Sequence, residues 1–454
     1  MTTKSISLLL KISGLITLRK ETNKKMEFID HTDSEYKKIL EATKQEDRLK
    51  MHSFHRYYGK LIPAIPRAFI REFTKTGDLI FDPFSGSGTV ALESKYLDRN
   101  FAGIEINPLS VLIARVKTNN YDIETLNEIY DILKRNVDSD TEKVLEDEKP
   151  FCVNREHWFK DFVQDDLVRI KRNINKSVDQ AGVEDDEKQI YIDFLNAVLS
   201  AIVKQVSNAD TMHVFPGRSK RMRRLEEEGK IHINVIESYF RGLKKRIGYV
   251  AEILNHTESK INIMMDDSAK ANLDNYENKV DLIVTNPPYI SSVRYAETLK
   301  LELYWMGVTK SSKEYSALSE SMIGNDKIRK KDYELLQTTN YDFVNEFIID
   351  MYARDTKQAK VLYDYFTLMD QVIKNMAKVL KKGKKVVMKI SDSKIRKTKI
   401  PTGKLLTQIA EQNGFKLVDV FNDKINENSR SLLTARNTYS DIILEDNIIF
   451  WEKI

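Results

Sequence analysis

Cysteine is almost missing from this sequence: among 454 residues, Cys152 is the only one. A disulfide within the chain is excluded, and a cytosolic setting is expected. Histidine is sparse, and the seven that occur are scattered without the paired spacing of a metal site, so no metal centre is expected. Long hydrophobic runs are lacking as well. The stretch from Ser5 to Leu18 is apolar, but Lys11 interrupts it, no small-x-small cleavage site follows, and it is too short to span a bilayer. Residues 1–25 are expected to be dispensable, with Met26 as the alternative start. Internal repeats and low-complexity tracts are absent. So is a dominant charge: the net value is +5, with 31% charged and 41% hydrophobic residues. This is the composition of an ordinary soluble chain, whose bulk charge dictates no nucleic-acid partner; any such footprint must come from local clusters.

What is present is concentrated in two segments. In Asp281-Leu-Ile-Val-Thr-Asn-Pro-Pro-Tyr289 an apolar run ends in two prolines. Pro287 and Pro288 supply no backbone donor and cannot sit in a central strand, so the strand stops near Thr285 and leaves Asn286 and Tyr289 on a rigid turn. An amide oxygen and the carbonyl before a proline can both accept from one exocyclic amino group, and a tyrosine ring can stack on the base that carries it. The second segment, Asp78-Leu-Ile-Phe-Asp-Pro-Phe-Ser-Gly-Ser-Gly-Thr89, reads as a buried strand breaking into a glycine turn ahead of a helix. Gly86 and Gly88 are expected to let a ligand approach the backbone. Phe101 to Pro108 reads as a second strand ending in Glu105, an acid suited to two ribose hydroxyls.

Gly86 to Ala91 also fits the loose dinucleotide fingerprint, but Asp82 would repel a pyrophosphate, whereas it favours a cationic ligand. No Gly-Lys-Ser/Thr follows, which argues against a P-loop.

Together the motifs resemble the S-adenosylmethionine-dependent DNA amino-methyltransferases. The resemblance covers roughly residues 52–118 and 261–454. It implies a Rossmann-like α/β methyltransferase sheet, with S-adenosyl-L-methionine held by Asp82, Phe84, Gly86, Gly88, Thr89 and Glu105. It further implies that Asp266 or Asp267, after a third strand, accepts from the cofactor's adenine amino group. In that family a His…Tyr…Lys…Pro stretch like His52 to Arg67 closes over the methionine end of the cofactor, where Lys60 would suit the carboxylate. Asn286, Pro287, Pro288 and Tyr289 become the catalytic loop acting on a flipped base. Carbon-5 methylation of cytosine is excluded, because that chemistry needs a Pro-Cys pair and Cys152 follows Phe151.

The organisation expected is an extension and polar helix over 1–50, a cofactor-binding part over 51–119, an inserted helical domain over 120–258, and a second methyltransferase part over 259–454. Helical spacing marks Glu187 to Gln205 and Ile231 to Leu254 within the insertion. Between them Arg218, Lys220, Arg221, Arg223 and Arg224 crowd beside a Pro-Gly turn, and are expected to grip DNA phosphates together with Arg294. Residues 291–355 form a long, partly helical excursion, read as a lid or DNA-contact element. Double-stranded DNA is the expected partner, with a cognate restriction endonuclease as a second. Asn286 favours adenine N6 as the target by a small margin. Against it, the 52–67 stretch and Tyr295 to Trp305 look like enzymes that modify cytosine N4. An RNA substrate and a non-catalytic subunit are the weaker alternatives.

Overall fold

The computed structural model describes residues 33–256, 258–290, 295–424 and 445–454. The segment before Met26, and Arg294, lie outside them. Runs of buried apolar residues make a seven-stranded sheet: β1 (Leu79–Asp82), β2 (Asn100–Glu105), β3 (Ile261–Met265), β4 (Val280–Thr285), β5 (Leu380–Ile390), β8 (Phe415–Lys424) and β9 (Glu445–Lys453), ordered β3-β2-β1-β4-β5-β9-β8. A small hairpin of β6 (Ser393–Ile395) and β7 (Thr398–Ile400) stands apart. The first five strands of the order are parallel, while β9 runs antiparallel to both β5 and β8. Buried on both faces, β4 is apolar almost throughout, as central parallel strands are. The strand order reverses between β1 and β4, the switch point at which open α/β sheets leave a crevice beyond their carboxyl ends. Both motif segments end there.

The strands read from the runs that begin at Asp78, Phe101 and Asp281 are present within a few residues of their expected bounds. The hairpin was not foreseen.

The helices expected between 120 and 258 are present, led by Asp161–Gln180, Lys188–Val206 and Val235–Val250. They do not close a core of their own. Their apolar faces share one cluster with Met51, Phe54, Leu92 and Val116 from residues 51–119, and with Leu301 and Trp305 from the excursion. Amphipathic helices without a sheet of their own must bury their stripe somewhere, and here it is buried against the flank of the seven-stranded sheet's own helical layer.

Candidate active site

A cleft of about 870 Å³, counting its open mouth, lies at the switch point. Asp82, Pro83, Phe84, Ser85, Gly86 and Thr89 line it from the glycine turn, and Asn286 and Pro288 from the loop after β4. Such a volume suits a nucleoside-sized ligand.

Two acids organise the wall. Asp82 is buried and accepts from the Phe84 amide (2.9 Å) and the Thr285 hydroxyl (2.7 Å), tying the glycine turn to the strand that carries Asn286. Glu105 accepts from the amides of Gly86 (2.9 Å) and Asn107 (2.8 Å), so the acid ending β2 also shapes the turn. Burial pushes both carboxyls up to about 7, against the opposing pull of these hydrogen bonds. A cation arriving in the cleft would favour their ionised forms.

The glycines divide the work differently from the sequence expectation. Gly86 lines the cleft with φ +52°. Gly88 does not line it. Its φ is +73°, and a Cβ there would lie 2.7 Å from that of Ala114. Gly88 is therefore required for the close packing of helix Thr89–Tyr96 on helix Pro108–Thr118, not for ligand approach.

Two further corrections concern charged groups. Asp266 and Asp267 are absent from the cleft lining. Asp267 is turned back on its own chain, accepting from the Ala269 amide (3.0 Å) and from Lys270 (2.8 Å); Ser268 is the residue of this turn that reaches the cleft. Lys60 does line it, but its ammonium donates to the carbonyls of His52 (2.9 Å) and His55 (2.7 Å), and burial brings it down to about 8. The 52–60 stretch is fastened below by buried Glu93, which takes His52 Nε2 at 2.6 Å and Arg67 Nε at 2.8 Å.

Sequence reasoning missed several lining residues: Tyr57, Ser85, Asn107, Ser268, and Ser321 to Ile323 from the excursion. Ser85 Oγ and Asn107 Nδ2 are buried and have no partner among the described residues, which marks them as groups whose hydrogen bonds a ligand would complete. Asn107 stands two positions after Glu105, a signal that was available. With the two carboxyls, these orphans fit a cofactor bearing a cation and ribose hydroxyls.

On the side of the loop after β4, Asn286 Nδ2 donates to the Gly59 carbonyl (3.3 Å), and the Tyr289 hydroxyl lies 3.2 Å from Asn286 Oδ1. Pro288 lines the cleft, while Pro287 is buried beneath it. Tyr289 is half-buried, and its hydroxyl meets Asp446 (3.1 Å) and Lys389 (3.1 Å), contacts no motif pointed to.

The basic cluster sits outside the cleft lining. Helix Lys220–Glu227 carries its own acids: Arg218 pairs with Glu226, Arg221 with buried Asp210 (2.6 Å) and Arg224 with Glu228 (3.6 Å). Lys220 and Arg223 form no ion pair among the described residues.

The comparisons with known proteins agree with this geometry. A family described as DNA methylase matches residues 14–115. Type II methyltransferase M.BsoBI of Geobacillus stearothermophilus is 25% identical over 95% of this chain and 91% of its own length. Type II methyltransferase M.MvaI of Kocuria varians is 23% identical over 79% of this chain and 80% of its own. A shorter match joins Type II methyltransferase M.Cfr9I of Citrobacter freundii, 50% identical over 11% of this chain and 16% of that protein.

Proposed function

The chain belongs to the S-adenosylmethionine-dependent DNA amino-methyltransferase family, and on that premise we propose that it methylates the exocyclic amino nitrogen of a base flipped out of double-stranded DNA. The observation that carries this reading is the joining of Asp82 to Thr285, which sets the cofactor wall and Asn286 on one cleft. When bound, S-adenosyl-L-methionine supplies an electrophilic methyl group. Asp82, Glu105, Ser85, Gly86, Thr89 and Asn107 would hold it. Asn286 Oδ1 and the Pro287 carbonyl accept the amino hydrogens of the target base, so that the nitrogen lone pair turns out of conjugation. Tyr289 offers its ring to the base. No covalent enzyme intermediate is needed, and the rate comes mainly from positioning.

For the base itself we favour cytosine N4, against the small margin for adenine that Asn286 alone suggests. The support is local. Gly59, Lys60 and Tyr295, which surround the cleft together with Asn286, come from the two stretches that look like cytosine-modifying enzymes. Adenine N6 is the second reading, favoured by Asn286 itself. A cognate restriction endonuclease would be the functional partner of such an enzyme.

Nucleoside mass spectrometry of DNA from cells expressing the protein, with Asn286→Ala as the blank, tests this directly. N4-methylcytosine is expected. N6-methyladenine instead would reverse the choice of base, and neither product would refute DNA methylation.

A further inference from the structure

Behind the catalytic loop lies a polar group that neither motif contains. Lys389 is buried in β5, flanked by Met388 and Ile390, at a position where the strand is otherwise apolar. A buried ammonium is costly unless paired and hydrogen-bonded. Its partner is Asp446 of β9, also buried, with Nζ to Oδ2 at 2.5 Å. The remaining reach of Lys389 goes to the Tyr289 hydroxyl at 3.1 Å. Asp446 Oδ1 accepts from the Ser391 hydroxyl and lies 3.1 Å from the hydroxyl of Tyr289.

The proton count is informative. The Tyr289 hydroxyl has one hydrogen and two acceptors in reach, Asp446 Oδ1 and Asn286 Oδ1. Lys389 and Ser391 already donate to the carboxylate of Asp446, and Lys389 donates to the Tyr289 oxygen. A cation donating to a phenol oxygen polarises its O–H and strengthens the bond it gives onward. Directed to Asn286 Oδ1, that hydrogen leaves the amide oxygen a second lone pair, while the amide nitrogen is engaged by the Gly59 carbonyl. The amide is then fixed with its oxygen as the acceptor that an exocyclic amino group requires.

We propose that Lys389 and Asp446 are positioning residues, which set the orientation of the Asn286 amide and the Tyr289 ring through the Tyr289 hydroxyl. The proposal rests on the methyltransferase reading of the same loop, and deepens it. Neither residue lines the cleft, so their loss should fall on turnover and spare the cofactor.

Lys389→Met is expected to lower kcat for DNA methylation by between about tenfold and a hundredfold, the worth of one hydrogen bond to a charged group. Binding of S-adenosylhomocysteine, read by calorimetry, should change less than about threefold. Tyr289→Phe should produce a loss of the same kind, and the double variant little more than either single one, because the residues act through one chain of bonds. Should Lys389→Met fail to fold, Asp446→Asn takes its place in the same cycle. A readout independent of activity uses protein labelled with [13Cζ]tyrosine, without cofactor or DNA. The resonance that disappears in Tyr289→Phe should shift in the Lys389 or Asp446 variant. A stationary resonance, losses that multiply in the double variant, or a loss of S-adenosylhomocysteine binding as large as the loss of kcat would each overturn the proposal. Wild-type protein that methylates no DNA would instead sink the functional reading, and leave the resonance test standing.

Discussion

Two charged regions of this molecule invite comparison: the cleft, with Asp82 and Glu105, and the basic segment from Arg218 to Arg224. Both stand out in the sequence. In the cleft the acids are enclosed, each is held by backbone amides, and their ionisation is displaced toward neutrality. In the basic segment three of the five cations are matched by nearby acids: Arg218 and Arg224 by partly exposed Glu226 and Glu228, in pairs worth at most about 1 kcal/mol, and Arg221 by buried Asp210. A charge withdrawn from water is held in readiness for a ligand, whereas a charge left in water is largely answered by its neighbours.

The largest test of that contrast pairs Asp82→Ala with Arg221→Ala. The first should weaken S-adenosylmethionine binding by more than about a hundredfold, through loss of a buried charge and its hydrogen bonds. The second should leave it unchanged. Isothermal calorimetry on the two proteins checks both halves.

A second test uses pH. With both carboxyls displaced up to about 7, the folded protein holds protons that the unfolded chain has lost above about pH 4. The stability from these protons is therefore greatest in acid and declines as pH rises from about 4 to about 7. Cofactor affinity should run the other way, because a cation favours the ionised forms. Affinity should gain on the order of ten- to a hundredfold between pH 6 and pH 8. Thermal unfolding without cofactor, and calorimetry with it, measure the opposite slopes. Parallel slopes would erase the distinction between the two regions.

The smallest expected effect sharpens the other side. If the basic segment meets DNA, the cations without an acid partner among the described residues should do most of the work. Replacing Lys220 and Arg223 by Ala should reduce the salt slope of DNA binding by up to about two, and replacing Arg218 and Arg221 by clearly less. Equal changes would show that these ion pairs open on contact with DNA.

The same contrast explains what was legible in the sequence. β1, β2, β3 and β4 could be read because each apolar run stops at residues that cannot continue a strand. Asp82, Glu105 and Asn286 could be picked out because their chemistry is confined to short spans, and all three line the one cleft. Gly88 was misread because its reason is Ala114, on another helix. Asp267 was misread because a turn captured it. Lys389 was passed over because its partners, Tyr289 and Asp446, lie in distant parts of the chain, although a lysine within an apolar strand was a sign of something buried and paired. The helices within 120–258 were legible from their periodicity, but periodicity does not say where a stripe is buried, and here it is shared with the sheet's flank.

The bond between Asp82 and Thr285 joins positions 203 apart in the chain, across the pairing of β1 with β4. Its consequence is kinetic. Closing so long a loop costs conformational entropy before any contact rewards it, so parallel pairings of this kind form late and slowly. A growing chain carries a complete glycine turn long before β4 exists to face it. The cleft is therefore expected to be completed late in folding, once β4 has paired with β1.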